Sequence, residues 1–219
     1  MDHPLDGARA ALGTILAAGA AEDAEDHARE VAIITAILSE AFETNGLRCT
    51  LVGGSAIEIF APGIFKSGDI DLVIESADSR PAVRGRLNPV FDALGFTKSG
   101  RHWVRDWLFV EVPSLEMTDP SETVHVGPFH LRVVAKEALL ADRLSGFLHW
   151  RQTSYGQQVV DMIAAFGDDL DHALLERYLT REKSRPAYER LGDLAKSNAP
   201  VTENALRGIL EQLAPDERR

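Results

Sequence analysis

Two aspartates and a glutamate have the side-chain type and the spacing to bind a hard metal ion. Asp69 and Asp71 lie two apart in DIDLVIE (69–75), whose alternation and later apolar run predict a β-strand. Residues two apart on a strand point to one face, so both carboxylates need a cation to offset their repulsion. Glu111, the only acidic residue of WLFVEVP (107–113), supplies a third carboxylate on a later strand. Such oxygen ligands hold Mg²⁺ and leave positions open for phosphate groups.

Paired glycines and a serine precede the aspartates. RCTLVGG (48–54) predicts a buried strand that ends at Gly53 and Gly54, and Ser55 opens a short helix predicted over 55–63. Glycine lets the backbone approach a ligand closely, and the amide groups of a helix N-terminus attract anions. An anion cradle and metal-binding carboxylates are therefore expected in one strand–helix–strand unit. Metal-assisted phosphoryl or nucleotidyl transfer requires this combination.

Each of these features also has a purely structural explanation. Alternating acids at a strand start keep an exposed edge in water, and Glu111 fits a surface position on an edge strand. Paired glycines occur in any tight turn. The short sequence distance from Gly53 and Gly54 to Asp69 and Asp71 favours a site over these alternatives.

Four further residues are candidates for contacts with the nucleotide. Lys66 and Ser67 directly precede the aspartate strand, while Lys136 and Arg143 are seven apart and share one face of a predicted helix. Acidic neighbours beside the last two leave ordinary salt bridges as the alternative. The histidines lack the spacing of zinc ligands, and four of them are considered and assigned to no metal: His102, His125, His130 and His172.

The remaining sequence predicts the elements that must position these side chains. Residues 5–19 and 25–45 predict two helices with an apolar face, and residues 80–95 predict another helix. Short β-like runs follow near 103–104, 107–113, 123–126 and 129–134. After residue 135 the periodicity is helical throughout. This order predicts an α+β fold in which a small mixed sheet with flanking helices carries the carboxylates.

We expect the chain to consist of three segments and to be located in the cytoplasm. Residues 1–46 form an N-terminal helical segment, 47–134 the α/β core and 135–219 a helical C-terminal domain. The formal net charge of −11 argues against a long nucleic acid as partner and fits a cationic or protein partner better. The single cysteine, Cys49, fits a reducing cytoplasm, and no signal pattern or membrane-spanning run is present in the sequence.

The pattern GGS followed by DID, with a later acidic strand residue, resembles the DNA polymerase β-like nucleotidyltransferase superfamily over residues 48–113. The resemblance implies that Asp69, Asp71 and Glu111 bind two Mg²⁺ ions, for which Mn²⁺ can substitute. It also implies that Gly54 and Ser55 contact the triphosphate. The superfamily commonly has aspartate at the third position, where this chain has glutamate.

Residues 138–165, with DRL, a following tryptophan and a glutamine-containing helix, are similar to a group of predicted bacterial nucleotidyltransferases. Some relatives are toxins of toxin–antitoxin or phage-defence systems, and others modify aminoglycosides. The resemblance implies transfer of a nucleoside monophosphate from an NTP such as ATP to a small molecule, protein or RNA, with release of pyrophosphate. An antitoxin partner or a homo-oligomer is compatible with it. The alternative is a catalytically silent module of the same fold that binds a nucleotide or a partner.

Overall fold

The computed structural model describes residues 5–64, 66–76, 78–127, 129–197 and 200–213. The chain divides into two compact units, residues 1–135 and residues 136–219. The separate standing of residues 1–46 as a segment remains a prediction. Among the described residues, no helix has both the length and the apolar character needed to cross a bilayer.

Four helices lie within the described part of the first unit: α1 (Asp6–Ala17), α2 (Ala24–Thr44), α3 (Gly53–Phe60) and α4 (Arg80–Ala93). Asp23 caps the N-terminus of α2, and its carboxylate accepts hydrogen bonds from the backbone amides of Glu25 and Asp26. The apolar face predicted from the spacing of Val31, Ile34, Leu38 and Phe42 is buried.

The first unit contains a mixed sheet: β1 (Arg48–Val52), β2 (Ile70–Glu75), β3 (Thr97–Ser99), β4 (His102–Arg105), β5 (Leu108–Glu111), β6 (Ser121–Val126) and β7 (Phe129–Val134). The strand order is β3-β4-β5-β2-β1-β7-β6. Strand β2 pairs antiparallel with β1 and parallel with β5. Strands at the centre of the sheet therefore carry Asp71 and Glu111, and Asp69 directly precedes β2.

Aromatic packing holds α4 against the sheet next to β4. The ring of Phe91 stacks on Trp103 with 4.4 Å between centroids, and it meets Phe42 of α2 edge-on at 5.2 Å. The central residues of β1 and β2 are buried, with Leu51 and Leu72 fully excluded from solvent. This core fixes the strand ends that carry the candidate site.

The described part of the second unit is helical, with α5 (Lys136–Trp150), α6 (Thr153–Phe166), α7 (His172–Arg181), α8 (Arg185–Lys196) and α9 (Glu203–Gln212). Helices α5 and α6 approach closely at a glycine, since a Cβ on Gly156 would lie 2.6 Å from the ring of Phe147. Together the two units confirm the predicted α+β class, with helices and a mixed sheet.

Candidate active site

The register of the sheet places the candidate side chains on adjacent strands. Asp71 on β2 pairs with Glu111 on β5, and on its other side it pairs with Val52 on β1. On the other side of β5, His102 of β4 pairs with Glu111. The order across the sheet is therefore His102, Glu111, Asp71 and Val52, with Asp69 directly before β2.

The glycine turn lies directly against Asp71. Gly53 has a φ of +68°, and a Cβ at this position would overlap the carboxylate of Asp71. Glycine is required both for the backbone conformation and for the close approach. Helix α3 begins here, and the first amides of a helix have no partner within it. The glycine turn that the sequence predicts as an anion cradle therefore lies against a candidate metal ligand.

Ser55 is buried, and its Oγ donates a hydrogen bond of 2.7 Å to the backbone carbonyl of Asp69. This bond joins the N-terminal turn of α3 to the segment that carries the first aspartate. In this arrangement Ser55 holds Asp69 in position. Its predicted contact with a triphosphate stays a prediction.

Asp69, His102 and Glu111 form a cluster whose ligand atoms all lie within 4.8 Å of one another. The Nε2 of His102 is 3.7 Å from Asp69 Oδ2 and 3.5 Å from Glu111 Oε2. The carboxylate of Asp71 lies instead against Gly53. The structure thus brings two of the three predicted carboxylates together around a histidine.

His102 is the residue of this cluster that sequence reasoning missed. Strands β4 and β5 are joined by Asp106 and Trp107 alone, and a two-residue loop fixes the register of a hairpin. Because Arg105 pairs with Leu108, His102 must face Glu111. The length of this loop was the signal that could have identified the histidine.

The donor set fits a divalent cation. Two carboxylates and an imidazole nitrogen are ligands that Mn²⁺ and other divalent ions accept. The side chain of Arg101 already brings a positive charge here, because its Nε lies 3.1 Å from Glu111 Oε2 and donates to His102 Nε2 at 3.3 Å. The guanidinium contacts the same Glu111 and His102 atoms that a metal ion would use, so the side chain of Arg101 would move aside when a metal ion binds.

A buried acid supports the segment before Asp69. The carboxylate of Glu58 on α3 accepts the backbone amide of Ser67, and its Oε2 lies 3.7 Å from Nε2 of His27 on α2. Burial raises the pKa of Glu58 to about 7 and lowers the pKa of His27. Beside this pair lies a cavity of about 230 Å³ that His27, Ser55, Ser67 and Asp69 help to line.

The remaining candidates occupy different surroundings. The Nζ of Lys66 donates to the carbonyls of Ala21 at 2.5 Å and Glu22 at 3.3 Å, which ties the segment before β2 to the α1–α2 connection. Lys136 begins α5 in the second unit. On the same helix Arg143 pairs with Asp142, the salt bridge that the sequence left as an alternative. Nucleotide contacts by Lys66, Ser67, Lys136 and Arg143 stay predictions.

No protein-family model matches the chain, and no curated protein matches it either. A solved structure similar to it is the crystal structure of an antigenic nucleotidyltransferase-like protein from Paracoccidioides brasiliensis. That similarity has a TM-score of 0.55 at 14% identity and covers 79% of this chain and 95% of the other.

A second similar structure is the solution structure of the antibiotic-resistance factor ANT(2'')-Ia. Its TM-score is 0.48 at 17% identity, and the match covers 73% of this chain and 96% of the other. At such identities, similarity of structure establishes the fold and nothing further. Together with the sheet and the carboxylates described above, the first similarity shows that this chain has a nucleotidyltransferase-like fold.

Proposed function

We propose that the chain is a metal-dependent nucleotidyltransferase that transfers a nucleoside monophosphate from an NTP to an acceptor. The observation that supports this proposal most directly is the cluster of Asp69, His102 and Glu111, with Asp71 beside it against the glycine turn. Metal-ligating oxygens and an anion cradle meet at the ends of adjacent strands, as transfer of a phosphoryl-containing group requires.

Asp69, Asp71 and Glu111 are the residues that would hold the metal ions, with His102 as an additional nitrogen ligand. Mg²⁺ or Mn²⁺ held there would supply positive charge against the phosphates and would make an acceptor hydroxyl more acidic. Gly53 packs closely on the carboxylate of Asp71, which leaves no room for a side chain at position 53. Ser55 anchors the backbone at Asp69 by a hydrogen bond to its carbonyl.

The protein groups have separate tasks in the proposed reaction. The amides of Gly53 and Gly54 bind the phosphates of the NTP at the N-terminus of α3. Glu111 accepts the proton of the acceptor hydroxyl. The hydroxyl oxygen then forms a bond to the α-phosphorus, while the bond from that phosphorus to the pyrophosphate oxygen breaks and pyrophosphate leaves.

The test is a pyrophosphate-release assay with each NTP, Mg²⁺ or Mn²⁺ and a panel of RNA, protein and small-molecule acceptors. Asp71→Asn is expected to lower turnover by at least about 100-fold, because the amide cannot offset the charge of a metal ion. The matched control is Asp92→Asn, which removes an exposed aspartate of α4 outside the site and leaves turnover unchanged.

Full turnover in Asp71→Asn would show that the metal assignment is wrong. A wild-type protein that binds an NTP tightly but releases no pyrophosphate with any acceptor would support the silent-module alternative instead. These two results are distinct, because the first requires turnover and the second requires its absence.

A further inference from the structure

A second cavity adjoins Glu111 and has a volume of about 520 Å³. Its walls come from the first turns of α4, from the β3–β4 hairpin and from residues 112–115 after β5. Glu111 lines this cavity, and it pairs with Asp71 on the adjacent strand. The glycine turn follows Val52 on the far side of Asp71, so the cavity and the turn lie on opposite sides of Asp71 and Glu111 in the strand order.

The charge of this cavity is opposite to that of the chain. Its basic lining residues are Arg80, Arg84, Lys98 and Arg101, and Glu111 is the acidic residue among its described lining. The chain as a whole carries a formal net charge of −11. Four cations in one concave surface of an acidic protein create a local potential that attracts anions.

Two of these cations on α4 are available to a ligand. Arg80 is 3.0 Å from Glu116, but both side chains are about two-thirds exposed, at 67% and 70%, and such surface pairs are weak. Arg84 is exposed and makes no ion pair within the part of the chain that the structure describes. Both side chains can therefore turn to a phosphate at little energetic cost.

The other two cations connect the cavity to the carboxylates. Lys98 lies 3.1 Å above the ring of Trp103 and donates to the backbone carbonyl of Arg101 at 2.9 Å, which braces the β3–β4 turn. Partial burial lowers the pKa of Lys98. An anion bound nearby would act in the opposite direction, because it stabilises the charged form of the lysine. The Nε of Arg101 reaches Glu111 directly, at 3.1 Å.

The strand order relates the position of the basic cavity to the proposed reaction. In an in-line displacement, the acceptor and the leaving pyrophosphate lie on opposite sides of the phosphorus. The glycine turn borders Asp71 on one side, while the basic cavity borders Glu111 on the other. If the NTP phosphates lie at the glycine turn, the basic cavity lies in the strand order on the side from which an acceptor would approach.

We propose that this basic cavity binds the acceptor, and that the acceptor carries phosphate groups, as an RNA end or a small phosphorylated compound does. The proposal rests on the proposed nucleotidyl transfer at Asp69, Asp71 and Glu111. It assigns Arg80, Arg84 and Lys98 to recognition of the acceptor. Arg101 joins the recognition surface to the carboxylate that accepts the proton.

The experiment compares wild type with Arg80→Gln/Arg84→Gln, whose two side chains are exposed and lie outside the metal cluster. The control is Arg29→Gln, which removes an arginine with a similarly exposed salt bridge, at 68% for Arg29 and 60% for Asp26. Fluorescence anisotropy measures binding of a labelled single-stranded pentaribonucleotide at several salt concentrations. NMR titration compares ribose 5-phosphate with ribose, and calorimetry measures NTP binding with Mg²⁺ in every variant.

The double variant is expected to bind the pentaribonucleotide at least about 10-fold more weakly, and its salt slope is expected to fall by about 1.4, for two phosphate contacts. Arg29→Gln should bind like wild type, and NTP affinity should be unchanged in both. Binding of ribose 5-phosphate but not of the oligonucleotide, again weakened by the double variant, identifies a small phosphorylated acceptor.

The proposal would be overturned if wild type binds neither phosphate-bearing probe, if the double variant binds both as wild type does, or if ribose binds measurably and as tightly as ribose 5-phosphate. A parallel loss of NTP affinity in the double variant would also overturn it, because the cavity would then serve the nucleotide itself. Failure of wild type to bind any NTP would contradict the proposed function, whereas the two phosphate-bearing probes test the cavity independently.

Discussion

At the scale of single residues, His102 distinguishes this site from a cluster of carboxylates alone. Its Nε2 lies within 3.7 Å of both Asp69 and Glu111 oxygens. Mg²⁺ prefers oxygen ligands, whereas Mn²⁺ and later transition ions also accept imidazole nitrogen. The side chain is therefore expected to affect which metal binds more than whether any metal binds.

His102→Gln is expected to weaken Mn²⁺ binding by about 10-fold while Mg²⁺ binding changes by less than about 2-fold. Electron paramagnetic resonance of free Mn²⁺ and calorimetric titration of Mg²⁺ measure the two affinities directly, without turnover. His125→Gln, at an exposed position on β6, is the control. Equal losses for both ions would show that His102 holds Glu111 in place and does not select the metal.

At the scale of elements, helices α2 and α3 together support the segment that leads into β2. Glu58 is fully buried on α3, and its second carboxylate oxygen has no hydrogen-bond partner among the described residues. His27 of α2 and the charged Lys66 are the titratable groups that influence it. A buried acid of this kind makes the stability of the site region dependent on pH.

The direction of that dependence follows from the raised pKa of Glu58. Burial raises it from 4.5 to about 7, so the folded protein keeps this proton at pH values where the unfolded chain has lost it. The resulting stability is present below pH 4.5 and is lost as the pH rises through 7. His27 acts in the other direction, because its lowered pKa removes stability as the pH falls below 6.5.

Glu58→Gln keeps an oxygen for the amide of Ser67 and removes the ionisation. The free energy of unfolding of this variant, minus that of wild type, should therefore increase by about 2 kcal/mol between pH 5 and pH 8. Urea denaturation at the two pH values measures it, with the exposed Glu122→Gln as control. A difference that stays constant or decreases over this range would contradict the assigned pKa.

Periodicity predicted the elements well, because burial of one face leaves a pattern in the sequence. The apolar face of α2 and the strand containing Asp71 are examples. Strand β3 (Thr97–Ser99) was not predicted, since all its residues are exposed and no apolar alternation marks it. The Glu58–His27 pair could not be predicted from the sequence either, because it depends on how two helices pack. The spacing of residues in the sequence identified the aspartates as candidates, whereas identification of His102 required the register of a hairpin.

At the scale of the whole molecule, net charge is a poor guide to the chemistry of one surface. The formal charge of −11 predicts a cationic or protein partner, yet four basic residues line the cavity beside Glu111. Net charge governs long-range repulsion, whereas recognition depends on groups within a few ångströms and on the salt concentration. A phosphate-bearing acceptor that contacts the chain through this cavity is compatible with both observations.

The most direct test of the central claim is calorimetric titration of each NTP with and without Mg²⁺, on wild type and on Asp69→Asn/Asp71→Asn. We predict binding that requires Mg²⁺ and falls by at least about 10-fold in the double variant, because the substituted amides hold the metal poorly. Absence of NTP binding to wild type, or equally tight binding to the double variant, would contradict the proposed metal-dependent site.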